Sequence, residues 1–402
     1  MSCPFASSSD SGIDQGNNYD ERLNYTDYLQ LDKLLDCQKL MSEEKGSHRA
    51  SDELLFIVTH QAYELWFKEI IFEIDSIREL FLTEAGVLNE EKTLMVISLL
   101  KRIVAILKLL GEQFQCLETM TPFGFMEFRD YISPASGFQS AQFRVIENKL
   151  GVLRASMRKD SQECCKALRT GKDQTDYVKS EESPSLLEVV EKWLSRTPGL
   201  EEDGFNFWGK FKASVYRWLD SLKMQALAQK NEFLKADMLK NFKSTTDTFE
   251  SIFNEERHNQ LVTRGERRFC YKAFQGAMMI YFYRDQPRFH QPFQILQLLI
   301  DIDSLIIKWR YNHLMLVQRT IGTKAGTGGS SGYQYLRSTI SDRYKVFIDL
   351  FHLSNFLVPR EYIPHLTRDM KTVLRQVHNH GESDSAHYSD SENEELGLTG
   401  LA

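Results

Sequence analysis

One stripe of side chains runs from Glu53 to Leu82, taking Phe56, His60, Tyr63, Phe67, Ile70, Ile74, Ile77 and Phe81 in steps of three and four. That is the helical period, and it predicts a long amphipathic helix with this face turned to a core. Residues 94–120 (LMVISLLKRIVAILKLLGEQFQCLETM) are apolar around most of a helical circumference, which predicts a buried helix. Residues 25–41 read as one helix, and 121–153 as two helices joined by a turn at SPASG. Further helices are expected up to about Phe253 and over 265–283, 294–322 and 341–358. No stretch alternates with a period of two. The pattern is all-α.

Composition narrows the class. Only 22 glycines and 9 prolines in 402 residues favour long helices over many short strands. A net charge of −7 without a basic stripe argues against a nucleic-acid partner. The most apolar run, QILQLLIDIDSLIIKW, is interrupted by Asp301 and Asp303, so no membrane span is expected. Six cysteines without C-x-x-C spacing, behind an N-terminus lacking the features of a secretory signal, predict a reduced chain in the cytoplasm. Residues 1–20 and the acidic stretch from Gly381 read as disordered tails, and the polar 159–186 as a surface insertion or lid.

Three side chains sit oddly in this pattern. His313 lies on the buried stripe of its helix, four residues after Trp309. A histidine there is either a hydrogen-bonded core residue or a metal ligand. It has no H-x-x-x-H or E-x-x-H companion, which disfavours zinc and di-iron but leaves a single axial imidazole for haem. His60 is the one titratable group on an aromatic wall with Phe56, Tyr63 and Phe67. Arg129, in FMEFRDY, either stacks on its aromatic neighbours or points inward to grip an anion. The glycine run AGTGGSSG, residues 325–332, fails both nucleotide fingerprints: Tyr333 follows where G-K-[ST] is needed, and Ser331 stands where a dinucleotide loop needs glycine. It is a linker or a loop able to close over a small polar ligand.

Long strings then match a known family. FIVTHQAYELWFKEIIFEIDSIRE, FRDYISPASGFQSAQFRVIENKLGVL, RTPGLEEDGFNFW and DIDSLIIKWRYNHLMLVQRTIGTKAGTGGSSGYQYLRSTISDRYKVF resemble tryptophan 2,3-dioxygenase, animal type, over roughly residues 22–365. The resemblance implies an all-α homotetrameric enzyme with haem b that inserts both atoms of O₂ across the indole C2=C3 bond of L-tryptophan. The product is N-formyl-L-kynurenine, at the head of the kynurenine pathway. The alternatives are the related indoleamine dioxygenase activity and a non-catalytic sensor binding haem or tryptophan.

The match assigns roles residue by residue. K-W-R-Y-N-H makes His313 the proximal iron ligand, with Trp309 beside the cofactor. Phe56 to His60, with Ile57, Val58 and Thr59 between them, form the distal wall together with Phe125. His60 is expected at the indole N–H, Arg129 at the substrate carboxylate, and Thr327 of the glycine run at its ammonium and carboxylate. Ser136 falls near the haem edge, Arg102 and Arg144 at the propionates, and Tyr25 and Leu29 in a neighbouring subunit's pocket. Two positions depart from the family: Leu54 replaces a histidine common at the pocket rim, and Thr26 a glycine. The implied organisation is a tail (1–20), an arm with the distal-side helices (21–158), an insertion with accessory helices (159–255), proximal-side helices with the glycine-rich lid (256–380), and an acidic tail (381–402).

Overall fold

A computed structural model describes residues 23–46, 48–82, 88–152, 174–324, 326 and 332–375. Helices account for its regular structure, and there is no β-strand among the described residues. In chain order they are α1 (Tyr25–Leu29), α2 (Leu31–Leu35), α3 (Met41–Glu44), α4 (Glu53–Phe81), α5 (Glu90–Leu117), α6 (Pro122–Ile132), α7 (Ala141–Leu150), α8 (Gln174–Glu182) and α9 (Leu186–Leu194). They continue as α10 (Phe207–Ala228), α11 (Glu232–Phe253), α12 (Glu255–Thr263), α13 (Tyr271–Phe282), α14 (Pro287–Ile321), α15 (Gly332–Thr339), α16 (Ile348–His352) and α17 (Arg368–Arg375). None of the described helices is long and apolar enough to cross a membrane.

Contacts group these helices into two compact units rather than into consecutive segments. The first takes the described residues up to Lys192 with Gln260–Arg268 and Leu298–Phe351. The second takes Trp193–Asn259, Phe269–Gln297 and the described residues from His352. Each unit thus draws on segments far apart in the chain.

In the first unit α4 lies along α5 and α7. Ile70, Ile74 and Ile77 of α4 meet a core that includes Leu100, Ile103 and Leu110 of α5, all nearly or fully buried. The Tyr63 hydroxyl donates to the Leu110 carbonyl (3.0 Å), and Gln142 reaches the Glu64 carbonyl (2.8 Å). Asn312 of α14 donates to the Gly111 carbonyl (3.2 Å), which ties α14 to α5. Gly322 ends α14 at a φ of +62°, where a side chain would be strained. The helix expected over 25–41 is broken: Gln30 is left-handed (φ 52°), and no residue of α1 or α2 is buried to carry a longer helix.

The helix expected over 341–358 is broken as well, into two 3-10 turns and the short α16. Its backbone donors are claimed from outside. Asp303 accepts from Val346 N (3.0 Å) and Phe347 N (2.6 Å), which holds 345–347 extended against α14. Residues 159–173 of the expected insertion lie outside the described residues. The part that follows packs on its neighbours: Tyr177 of α8 is 1% exposed and lies against Val145 of α7.

The second unit is built on the α10–α11 hairpin, with Phe207, Phe211, Phe249 and Phe274 fully buried. Its α13 passes the 194–197 turn so closely that a Cβ at Gly276 would come within 2.1 Å of the Leu194 carbonyl oxygen.

Candidate active site

The first unit encloses a cavity with about 240 Å³ open to the centres of water-sized molecules, far more than one water needs. Its walls come from α4, α5, α6, α7, α14 and α15 and are mostly aromatic and aliphatic. Eight residues singled out from the sequence meet there: Phe56, His60, Phe125, Arg129, Ser136, Arg144, Trp309 and His313.

Phe56 and His60 stand one turn apart on α4, their rings 4.0 Å apart, and Phe56 leans on Phe125 and Phe128 of α6. His60 Nδ1 lies 2.7 Å from the Phe56 carbonyl oxygen. A carbonyl can only accept, so Nδ1 carries the proton and Nε2 keeps its lone pair. Burial pushes the His60 pKa below its ordinary value, against smaller opposing effects of the Phe56 carbonyl and Glu64. A neutral imidazole with one ring nitrogen ready to accept is the result.

His313, on α14, is pushed down to about 4, first by burial and second by His60 across the cavity. It is therefore neutral at physiological pH and free to coordinate. Its Nδ1 is buried without a hydrogen-bond partner among the described residues. Trp309 (ring centroid 5.5 Å away) and Phe114 (6.1 Å) hold the ring from two sides. A core histidine would satisfy that nitrogen. His313 belongs instead to the wall of a cavity.

At the α15 end of the cavity lies an ionic network that the sequence reading missed. Glu147 accepts from Arg144, three residues before it, and from Arg310 Nη2 (2.7 Å). Arg144 also donates to the Tyr335 hydroxyl (3.1 Å), and Arg310 to the Thr339 carbonyl (3.3 Å). All three charged groups are buried, and two cations share one anion. Arg310 stands inside K-W-R-Y-N-H, three residues from His313, and that position was the one signal available.

Other expected residues lie elsewhere. Ile57, Val58 and Thr59 share α4 with His60 but are absent from the cavity wall, and Thr59 is buried with its carbonyl accepting from Gln113 (3.2 Å). Arg102 is exposed on α5 and pairs with the buried carboxylate of Glu73. Tyr25 and Leu29 are exposed on α1, away from their own chain's cavity wall. Thr327 lies outside the described residues; Gly326 and Gly332, on either side of it, border the cavity.

Comparison with known proteins accounts for the arrangement. A family model described as tryptophan 2,3-dioxygenase matches residues 11–357. The chain belongs to the tryptophan 2,3-dioxygenase family. A tryptophan 2,3-dioxygenase of Anopheles gambiae is 54% identical over 378 residues, covering 93% of this chain and 96% of the relative. One of Aedes aegypti is 53% identical over 379 residues, covering 93% and 95%. The tryptophan 2,3-dioxygenase match spans every residue of the cavity wall, from Phe56 to Thr339.

The residues present also suit a haem. Among the described residues no three His, Cys, Asp or Glu side chains gather to hold a metal ion by themselves. One neutral imidazole in a large apolar cavity matches an iron whose equatorial ligands come from a macrocycle. The two guanidiniums of that wall, Arg144 and Arg310, suit that macrocycle's two carboxylates.

Proposed function

We propose that this cavity is the site at which the chain performs the tryptophan 2,3-dioxygenase reaction, with haem b held by His313 and by the Arg144–Arg310 wall. The observation that carries the reading is the convergence of three groups on one apolar space: a neutral imidazole (His313), an imidazole with a free acceptor (His60), and a guanidinium (Arg129). When bound, the haem supplies an iron centre at which O₂ is activated for insertion across the indole C2=C3 bond, giving N-formyl-L-kynurenine.

This chain's residues bind and orient. His60 Nε2 accepts the indole N–H. Arg129 takes the carboxylate in two-point contact, and Thr327 of the glycine-rich loop completes the amino-acid end. Phe56, Phe125 and Phe128 exclude water from the indole and from bound oxygen. Fixing both ends of the substrate sets which ring bond faces the metal, and positioning is the larger part of the protein's task. The functional assembly in this reading is a homotetramer, in which the exposed Tyr25 and Leu29 complete a neighbour's cavity. Free thiols at Cys37 and Cys116 suit a reducing compartment, the cytosol.

The test is production of N-formylkynurenine from L-tryptophan and O₂ by the purified protein, compared with His313→Ala. The variant should lose stable haem and turnover while keeping its helical content, since only a ligand and some side-chain volume go. A normal haem spectrum with normal turnover in that variant would sink the assignment.

A further inference from the structure

The first unit holds a second, smaller cavity, with about 20 Å³ open to the centres of water-sized molecules. It lies between α4, α5, α7 and α14, and its body is aliphatic: Ile70, Ile74, Ile103, Leu107, Ile302 and Ile306. Phe67, Phe143 and Trp309 belong to the walls of both cavities. Their rings lean on one another, with centroids 5.0 Å apart for Phe143–Trp309, 5.5 Å for Phe67–Phe143 and 6.1 Å for Phe67–Trp309. Together with Glu147 and Arg310, which also border both, these three aromatic rings form the partition between the large cavity and the small one.

The size admits one or two small molecules, and the wall chemistry decides which. Water in a protein interior needs two to four polar partners. Glu147 is engaged by two arginines, Asp303 by two backbone N–H groups, and Arg310 by Glu147 and the Thr339 carbonyl. Two other polar atoms of the wall, the Tyr344 hydroxyl and the Trp309 indole nitrogen, make no hydrogen bond. The second of these sits by the Tyr63 hydroxyl, a residue of the large cavity alone. One unengaged hydroxyl holds water poorly. An apolar diatomic gives up nothing on leaving water for such a space, and it gains dispersion contacts that an empty void forgoes.

We infer that the small cavity is a binding site for dioxygen, separated by a largely aromatic partition from the cavity where oxygen reacts. The inference rests on the reading of the large cavity as the reaction site. A molecule parked behind Phe67, Phe143 and Trp309 reaches that site by ring displacement and does not have to pass the substrate in the large cavity.

Xenon, apolar and of comparable bulk, is the probe. Crystals of the haem-loaded enzyme equilibrated under xenon pressure should show a xenon atom among Ile74, Leu107 and Ile302. Ile74→Phe and Ile302→Phe, from two different helices, should each displace it and raise the KM for O₂ several-fold. The KM for tryptophan and the Soret band should stay as they are, because neither residue borders the large cavity. Ordered water in place of xenon, or an empty cavity under xenon pressure, would overturn the inference. So would displacement of xenon in either variant with an unchanged dependence on oxygen. The xenon measurement on the unmodified enzyme decides the site even if a phenylalanine cannot be accommodated. A wild-type protein that bound xenon here but made no N-formylkynurenine would count against the large cavity's role and not against the small cavity as a gas site.

Discussion

Serine in place of His60 cannot reach the indole nitrogen, yet it leaves the apolar wall and Arg129 standing. The expected loss is that of one buried hydrogen bond, roughly 1–3 kcal/mol in kcat/KM, with turnover reduced and not abolished. Complete inactivity with tryptophan still bound would point to an obligatory base. Arg129→Leu should weaken tryptophan binding severely and affect indoles lacking the carboxylate far less. Equal losses for both ligand types would mean that Arg129 acts through folding. His60, Arg129 and His313 could be picked out because each is a polar group in an apolar context of its own short segment. Glu147 and Arg310 could not: their bond joins residues 163 apart, and only the meeting of α7 and α14 turns two ordinary charged residues into one buried network.

Among the elements, α4 and α5 were legible nearly to their ends because periodicity and burial agree along their whole length. The segment 341–358 has the helical pattern too, but Asp303 outbids the local backbone for its N–H groups. That carboxyl carries a pH signature. Burial raises it from its ordinary 3.8 to about 6, despite the two backbone donors and the nearby Arg310 and Lys345 that pull it down. An acid with a raised pKa in the fold binds its proton more tightly folded than unfolded. Asp303 therefore favours the fold at low pH, and this contribution fades as the pH rises through about 6. The difference is on the order of 2–3 kcal/mol. Urea unfolding of wild type and Asp303→Asn between pH 4 and 7 should show wild type losing that much relative to the variant. A constant gap across the window would remove Asp303 as the titrating group.

At the scale of the whole molecule, assembly is open to a genetic test. Tyr25 and Leu29 expose apolar surface that their own cavity does not use. Covering each in a neighbour's cavity would contribute ~1.5–3 kcal/mol. If the pocket is shared as proposed, a Tyr25→Ala/Leu29→Ala chain should keep its own haem site but fail its neighbour's, and a His313→Ala chain should have the reverse defect. Coexpression should regain part of the activity that each lacks alone. Mixed oligomers no more active than the mean of their parents would confine these residues to another role. The grouping into two units was not legible, because sequence gives the order of segments and the first unit draws on three separate stretches.

That interleaving bears on biosynthesis. The cavity wall begins at Phe56 and is complete only at Thr339. A ribosome adding about 5–20 residues per second needs roughly 15–60 seconds to make the intervening chain. Throughout that interval the aromatic faces of α4 and α5 have no α14 or α15 to cover them. In the proposed reading, haem capture waits for the finished or nearly finished polypeptide, and a nascent chain stalled before Pro287 would present Phe56, Phe67 and Phe114 to chaperones as unburied surface.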